Sequence, residues 1–275
     1  MKRMLMGCLL VAVYLFPAMA SAKTYVVGIE PSYPPWASVD SGEYVGIAPD
    51  AMRAMAEAQG FDIKFKSIAF SSLIPALKAD KIDILATGLT VSPKRATQID
   101  FTIPWWQVQL DVLVKKDSDT NAVTGLCCGA KVGTQTGTTN YAWLQNQLEQ
   151  KGVDIDIQTY EQGPTGINDL KIGRIDAYFT DDNTATKFAQ ANPDSIRLAG
   201  KLMPHPAQVY ALGVKKGNDA LRGILNQAVV KIYKSGEWTK IVHRYFPDKA
   251  VGKVPTVMPS GIPSYEKPIP GYSQN

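Results

Sequence analysis

Arg95 lies near the end of an eighteen-residue run, IDILATGLTVSPKRATQI (Ile82 to Ile99), whose residue types suit recognition of an anion. Ile82, Ile84 and Leu85 read as a buried strand, and Gly88 lets another molecule approach the backbone. Ser92 and Pro93 read as an N-cap followed by proline at the first helical position. A guanidinium in that first turn can clamp a carboxylate through two parallel N–H bonds. Helix starts favour anions, so a cation there has the wrong sign and calls for a partner. That partner is either an anion from solution or the nearby Asp100 or Asp80.

Three further stretches carry polar groups at the ends of apolar runs. In VGTQTGTTNYAWL (Val132 to Leu144) a strand gives way to glycines and threonines, with a helix starting near Thr138 and Thr139. Such a turn aims N–H groups and hydroxyls at an anion, or serves as a plain helix cap. It is not a nucleotide-binding P-loop, because Thr138 stands where the lysine would be. GRIDAYFTDD (Gly173 to Asp182) puts Asp181 at a strand end, where it can hold an ammonium group or merely begin a turn. GIEPSYPPWAS (Gly28 to Ser38) ends a strand in Glu30, Tyr33 and Trp36 among prolines. With Phe70, Tyr33 could flank an alkyl or guanidinium group, and Glu30 could meet a cation. Ordinary core aromatics and a solvated glutamate are the alternative.

The elements that must position these residues alternate. Tyr25 to Glu30, Asp62 to Ile68, Ile82 to Ala86, Leu110 to Lys115, Lys131 to Thr134, Asp154 to Thr159, Ile175 to Thr180 and Val209 to Lys215 read as strands. Asp50 to Gln59, Ser72 to Ala79 and Leu221 to Tyr233 have helical apolar spacing. Strand–helix alternation points to an α/β fold with parallel sheets. LDVLVKKDS (from Leu110) and YALGVKKGN (from Tyr210) resemble each other. If they lie side by side, the chain leaves one lobe at the first and returns at the second.

The termini and the composition bound the rest. Residues 1–22 combine Lys2 and Arg3, an apolar run from Met4 to Phe16 and Ala20-Ser21-Ala22, the pattern of an export signal cleaved after Ala22. The apolar run falls short of the roughly 20 residues that cross a bilayer. Losing Lys2 and Arg3 takes the net charge from +4 to +2, which leaves no broad basic surface and argues against nucleic acid. Cys127 and Cys128 are adjacent, either a vicinal disulfide or two thiols, and His205 and His243 lie too far along the chain to suggest a metal site with them. Residues 249–275 hold Pro255, Pro259, Pro263, Pro268 and Pro270 with little apolar periodicity, and read as a flexible tail.

The order GIEPSYPPW, FSSLIPALKADKIDILATGLTVSPKRATQIDFT, KVGTQTGTT, GRIDAYFTDD and GEWTKIVHRYF resembles the periplasmic amino-acid-binding proteins of bacterial ABC importers, solute-binding protein family 3, from about Thr24 to Pro247. The resemblance implies a type II periplasmic binding protein fold: two α/β lobes joined by two crossing hinge strands, with an amino acid trapped between them. Lobe 1 would comprise residues 23–111 and 210–248, and lobe 2 residues 112–209. It implies that Arg95 clamps the α-carboxylate, helped by the N–H groups of Thr90 and Thr139. Asp181 would hold the α-ammonium, with the Thr90 hydroxyl and Gly88 carbonyl. Tyr33 and Phe70 would flank the side chain, and Glu30 matches an acidic position of binders of cationic amino acids. It further implies a periplasmic monomer without cofactor or metal, which hands its ligand to an inner-membrane ABC permease. Glycine at 88, the pair Trp105-Trp106 and the proline-rich tail depart from the usual pattern. The same fold also hosts periplasmic cyclohexadienyl dehydratases, for which Glu30, Glu161 or Asp182 could be the general acid, and a ligand sensor for a membrane receptor would use the same pocket with a different partner.

Overall fold

A computed structural model describes residues 22–202, 208–254 and 258–273. The expected export signal, apart from Ala22, lies outside the described residues, as does His205. The chain opens with β1 (Thr24–Ile29), a hairpin of β2 (Ser38–Asp40) and β3 (Glu43–Val45), α1 (Ile47–Gln59), β4 (Asp62–Ser67) and α2 (Phe70–Lys78). β5 (Ile84–Leu85), the single turn α3 (Pro93–Ala96), β6 (Ile99–Phe101) and β7 (Trp106–Val108) follow. The second half holds β8 (Leu110–Lys115), β9 (Ala130–Gln135), α4 (Thr139–Gln147), β10 (Ile155–Tyr160), α5 (Gly163–Lys171), β11 (Ala177–Asp181), α6 (Asp182–Ala191) and β12 (Ile196–Leu202). β13 (Gln208–Tyr210), β14 (Gly213–Lys215), α7 (Asp219–Lys234) and α8 (Glu237–Tyr245) complete it.

Two five-stranded sheets form, in the orders β4-β1-β5-β14-β6 and β10-β9-β11-β8-β12. β1, β4 and β5 run parallel, as do β9, β10 and β11. Strands covered on both faces must be apolar along their whole length. β8 and β11 come close, with five consecutive buried residues each, apolar but for Asp111, Thr180 and Asp181. The helices bury stripes against the sheets: Leu221, Leu225, Ala228, Val229 and Ile232 of α7 join the core beside Met52 and Met55 of α1. α1 stops at Gly60, whose φ of 72° returns its N–H to the Ala56 carbonyl.

The crossing strands are β7 and β13, an antiparallel pair with Trp106 opposite Tyr210. The two Lys-Lys segments do not lie side by side, which corrects the sequence reading. β8 belongs to the lobe 2 sheet, antiparallel to β11 and β12, and β14 to the lobe 1 sheet, antiparallel to β5 and β6. Each follows a crossing strand and runs against the parallel strands of its lobe, so their likeness reflects equal roles in two similar sheets. The expected strand Val209 to Lys215 is therefore two strands, broken where the chain turns from hinge into lobe 1. The hinge rests on an aromatic cluster in which the Trp36 ring lies 5.3 Å from Trp106 and 4.7 Å from Tyr210, and Trp105 stands 5.4 Å from Trp238.

The tail also departs from expectation, because its described residues pack on lobe 1. Ile262 is fully buried against the β5, β6 and α2 side, and the Tyr265 hydroxyl donates to the Thr102 carbonyl at 2.5 Å. The Asn226 side chain of α7 donates to the Pro270 carbonyl at 2.7 Å. Prolines hide this docking from periodicity, since an extended segment binds through isolated side chains. Cys127 and Cys128 are joined by a vicinal disulfide in the loop before β9.

Asp111 on β8 is fully buried, and one carboxylate oxygen lacks a partner. Burial pushes its carboxyl up to about 6, against the opposing pull of the Val112 N–H and Lys201, and Asp182 pushes it further. The folded chain thus binds this proton more tightly than the unfolded chain does. The contribution to stability is full below the unfolded value near 4 and declines as pH rises through 6. Asp111→Asn should melt above the parent at pH 7.5, by about 1 kcal/mol of stability, with the gap closing toward pH 4. Thermal melts across that range check it, and a gap independent of pH contradicts it.

Candidate ligand-binding cleft

The polar residues singled out in the sequence collect where the lobes meet. Ser92 caps α3 by accepting from the Arg95 N–H at 3.3 Å, which sets Arg95 in a turn only four residues long. Its guanidinium donates to the Thr90 carbonyl at 2.7 Å within lobe 1 and to the Gly137 carbonyl at 3.2 Å in lobe 2. Those bonds use two of its five N–H donors, leaving three for a carboxylate. Asp80 and Asp100 are engaged elsewhere, with Lys215 and with the Gly217 N–H. The guanidinium lies 5.2 Å over the Phe70 ring. Phe70 thus stacks on the protein's own arginine.

Asp181 ends β11 and caps α6 by position, yet its carboxylate makes no cap bond. It faces the cleft instead. The Tyr33 hydroxyl donates to Oδ2 at 2.6 Å, the Tyr210 hydroxyl donates to the same atom, and the Asn140 amide reaches Oδ1 at 3.1 Å. Burial raises its pKa, partly offset by those three donors. Burial also pushes the Arg95 guanidinium down to about 10, while the field of Asp181 supports its charge. The two ions therefore feel each other across the lobes without forming a direct bridge.

Thr139 opens α4 and donates to the Thr90 hydroxyl of lobe 1 at 3.2 Å. Thr90 itself bridges to Tyr210 of the hinge. Gly88 has a steric reason to be glycine: a Cβ there would stand 2.9 Å from the Tyr33 ring and 3.2 Å from the Tyr210 hydroxyl. The two tyrosines reach Asp181 through the space that its missing side chain leaves. Glu30 is buried beside Ser32, which donates to one carboxylate oxygen, and its other oxygen is unpartnered. Burial raises its pKa, opposed by the Ser32 hydrogen bond and by the nearby Gln135 amide. Gln135 of lobe 2 is buried as well; its amide donates to the Glu161 carbonyl at 3.1 Å and leaves its own oxygen unpartnered.

Tyr210, Asn140 and Gln135 were not singled out in the sequence. Tyr210 read as one more apolar residue of a strand, although its place at the hinge makes its hydroxyl central. Asn140 and Gln135 lie inside the Gly-Thr stretch that drew attention for its hydroxyls, and buried amides in such a loop are the signal that could have found them.

Two α/β lobes with a crossing hinge pair and opposite charges across the cleft define a two-lobed solute-binding protein of type II. The chain belongs to the bacterial extracellular solute-binding proteins, family 3, whose profile matches residues 25–248. It is 31% identical over 252 residues to ABC transporter arginine-binding protein 1 of Escherichia coli K12, covering 90% of this chain and all of that one. A probable histidine-binding protein of Neisseria gonorrhoeae is 32% identical over 231 residues, covering 84% and 85%. An ancestral arginine-binding protein bound to arginine superposes with a TM-score of 0.75 at 31% identity, covering 81% of this chain and 98% of that chain.

Proposed function

We propose that this protein captures an amino acid, a cationic one foremost, in the bacterial periplasm and presents it to an ABC permease of the inner membrane. The observation that carries the reading is the placement of Arg95 and Asp181 on opposite lobes of one cleft, each buried and each with hydrogen-bonding capacity to spare. The α-carboxylate meets the three remaining guanidinium donors and the N–H groups of Thr90 and Thr139. The α-ammonium meets Asp181, whose Oδ1 takes only the Asn140 bond. A zwitterion so held touches both lobes at once and stabilises the closed arrangement by differential contact. Charge-assisted bonds contribute about 1.5–3 kcal/mol each, and micromolar affinity needs about 8 kcal/mol, so a handful suffices after the cost of closure.

Preference for a cation rests on Glu30. A buried carboxylate with an unpartnered oxygen is costly unless a donor reaches it, and a ligand guanidinium, ammonium or imidazolium supplies one. Relatives named for arginine and histidine point the same way. A thermal-shift panel of amino acids tests this, since a ligand at 100 times its dissociation constant stabilises by about 2.7 kcal/mol. Glu30→Gln should then weaken arginine, lysine and histidine by roughly tenfold while sparing neutral ligands, the loss of one bond to a charged acceptor. Equal losses for charged and neutral ligands contradict it.

Catalysis ranks below binding. A cleft acid needs a raised pKa and shelter from water. Glu161 is exposed and accepts from Ser71, and Asp182 pairs with Lys201, which leaves Glu30 as the sheltered carboxyl. Turnover of prephenate or arogenate by the purified protein would reverse the ranking.

A further inference from the structure

Behind the cleft, the start of α6 is tied to the chain that leaves α8. Lys249, one residue beyond the family match, donates to the Asn183 side-chain oxygen at 3.0 Å. Its ammonium lies 4.7 Å from the centre of the Trp106 ring on the hinge and 5.5 Å from that of Phe246. Lys187 of α6 sits 4.9 Å over the same Phe246 ring. Asn183 is buried and passes the contact on, its amide donating to Asp182 Oδ1 at 3.0 Å. That atom also accepts the Gln109 N–H at 3.3 Å, while Asp182 Oδ2 faces Lys201 at 3.6 Å. Lys249, Asn183 and Asp182 thus form a line from lobe 1 to the residue next to Asp181.

We propose that Lys249 is a positioning residue for ligand capture: it ties the head of α6, and Asp181 with it, to lobe 1 in the closed arrangement, and so slows opening and release. The inference rests on the reading of the protein as a closing two-lobed binder. Lys249 and Phe246 lie on the chain that leaves α8 of lobe 1, while Asn183 and Lys187 lie on α6 of lobe 2, so the contacts between them span the two lobes. The part of their free energy that opening removes counts toward closure. The packing of the lysine stem and ammonium on Trp106 fixes the donor before closure, which lowers the entropy lost in making the bond.

The test compares the full chain with Lys249→Met, Lys249→Arg and Asn183→Ala. Small-angle scattering is recorded without ligand and with L-arginine, alongside melting of the ligand-free proteins. Methionine keeps the stem on Trp106 and removes only the charged donor. Lys249→Met and Asn183→Ala should shift the scattering toward the open profile in at least one condition and release L-arginine roughly tenfold faster, the loss of one charged bond, with no further change in the double variant. Lys249→Arg should restore the parent behaviour, and ligand-free melting of Lys249→Met should stay unchanged. Profiles of Lys249→Met that overlay the parent in both conditions overturn the proposal, as does a lowered melting temperature with unchanged profiles. If L-arginine closes the parent and Lys249→Met alike, the inference fails and the binding reading stands. If L-arginine leaves the parent unmoved while Lys249→Met still opens without ligand, the tie stands and the ligand assignment fails.

Discussion

Arg95→Ala should lower amino-acid affinity by about three orders of magnitude while the ligand-free protein melts within a few degrees of the parent. The size follows from the two charge-assisted bonds of a bidentate carboxylate, together about 4 kcal/mol after competition with water. The fold should survive because α3 is set by the Ser92 cap, by Pro93 and by the buried Ala96, none of which needs the guanidinium. What Arg95 gives up on truncation is its bonds to Thr90 and Gly137 and its place over Phe70. Arg95→Lys sharpens the test. A lysine keeps the charge but lacks the planar fork, so it should recover only part of the affinity. Calorimetry that returns parent affinity for Arg95→Ala would remove this residue from the ligand's carboxylate.

Ending the chain after Gly252 should lower the melting temperature by about 10 °C, with binding retained once the shortened protein is folded. The removed segment contributes the fully buried Ile262, the Tyr265 ring with its bond to the Thr102 carbonyl, and the acceptor of the Asn226 amide. Burying one such aliphatic side chain stabilises by about 1.5–3 kcal/mol, and an internal hydrogen bond by about 1 kcal/mol. Ordering the segment costs part of this, which leaves about 3 kcal/mol, and each kcal/mol moves the midpoint of a chain of this size by about 2–4 °C. Ile262→Asp should reproduce most of the loss without shortening the chain. An unchanged midpoint for both would mean that the segment adds nothing to lobe 1.

The sequence made the α/β alternation legible because strands covered on both faces are dominated by apolar residues, as in Leu110 to Lys115 and Ala177 to Asp181, where Asp111, Thr180 and Asp181 are the buried polar exceptions. Arg95, Asp181 and Thr139 were legible for a related reason: ends of strands and starts of helices are where backbone geometry leaves polar groups free to face a ligand. The hinge was not. Its strands are three residues each, too short for a period, and Tyr210 looked like core because the information that makes it functional is the position of Asp181 in the other lobe. Gly88 drew notice as a point of close approach, yet what approaches is a pair of tyrosines separated from it by 55 and 122 residues, which no local pattern encodes. The tail was misread on composition, since isolated residues such as Ile262 and Tyr265 between prolines carry no periodic signal even when they are anchored.

In the proposed site, Arg95 and Asp181 hold the two charged ends of one amino acid. This is tested most directly by calorimetric titration of the purified protein with L-arginine, its α-amide and its Nα-acetyl derivative. The free amino acid should bind tightly and each blocked form should lose at least two orders of magnitude, since one removes the anion at Arg95 and the other the cation at Asp181. Binding of either blocked form as tightly as the free amino acid would contradict it.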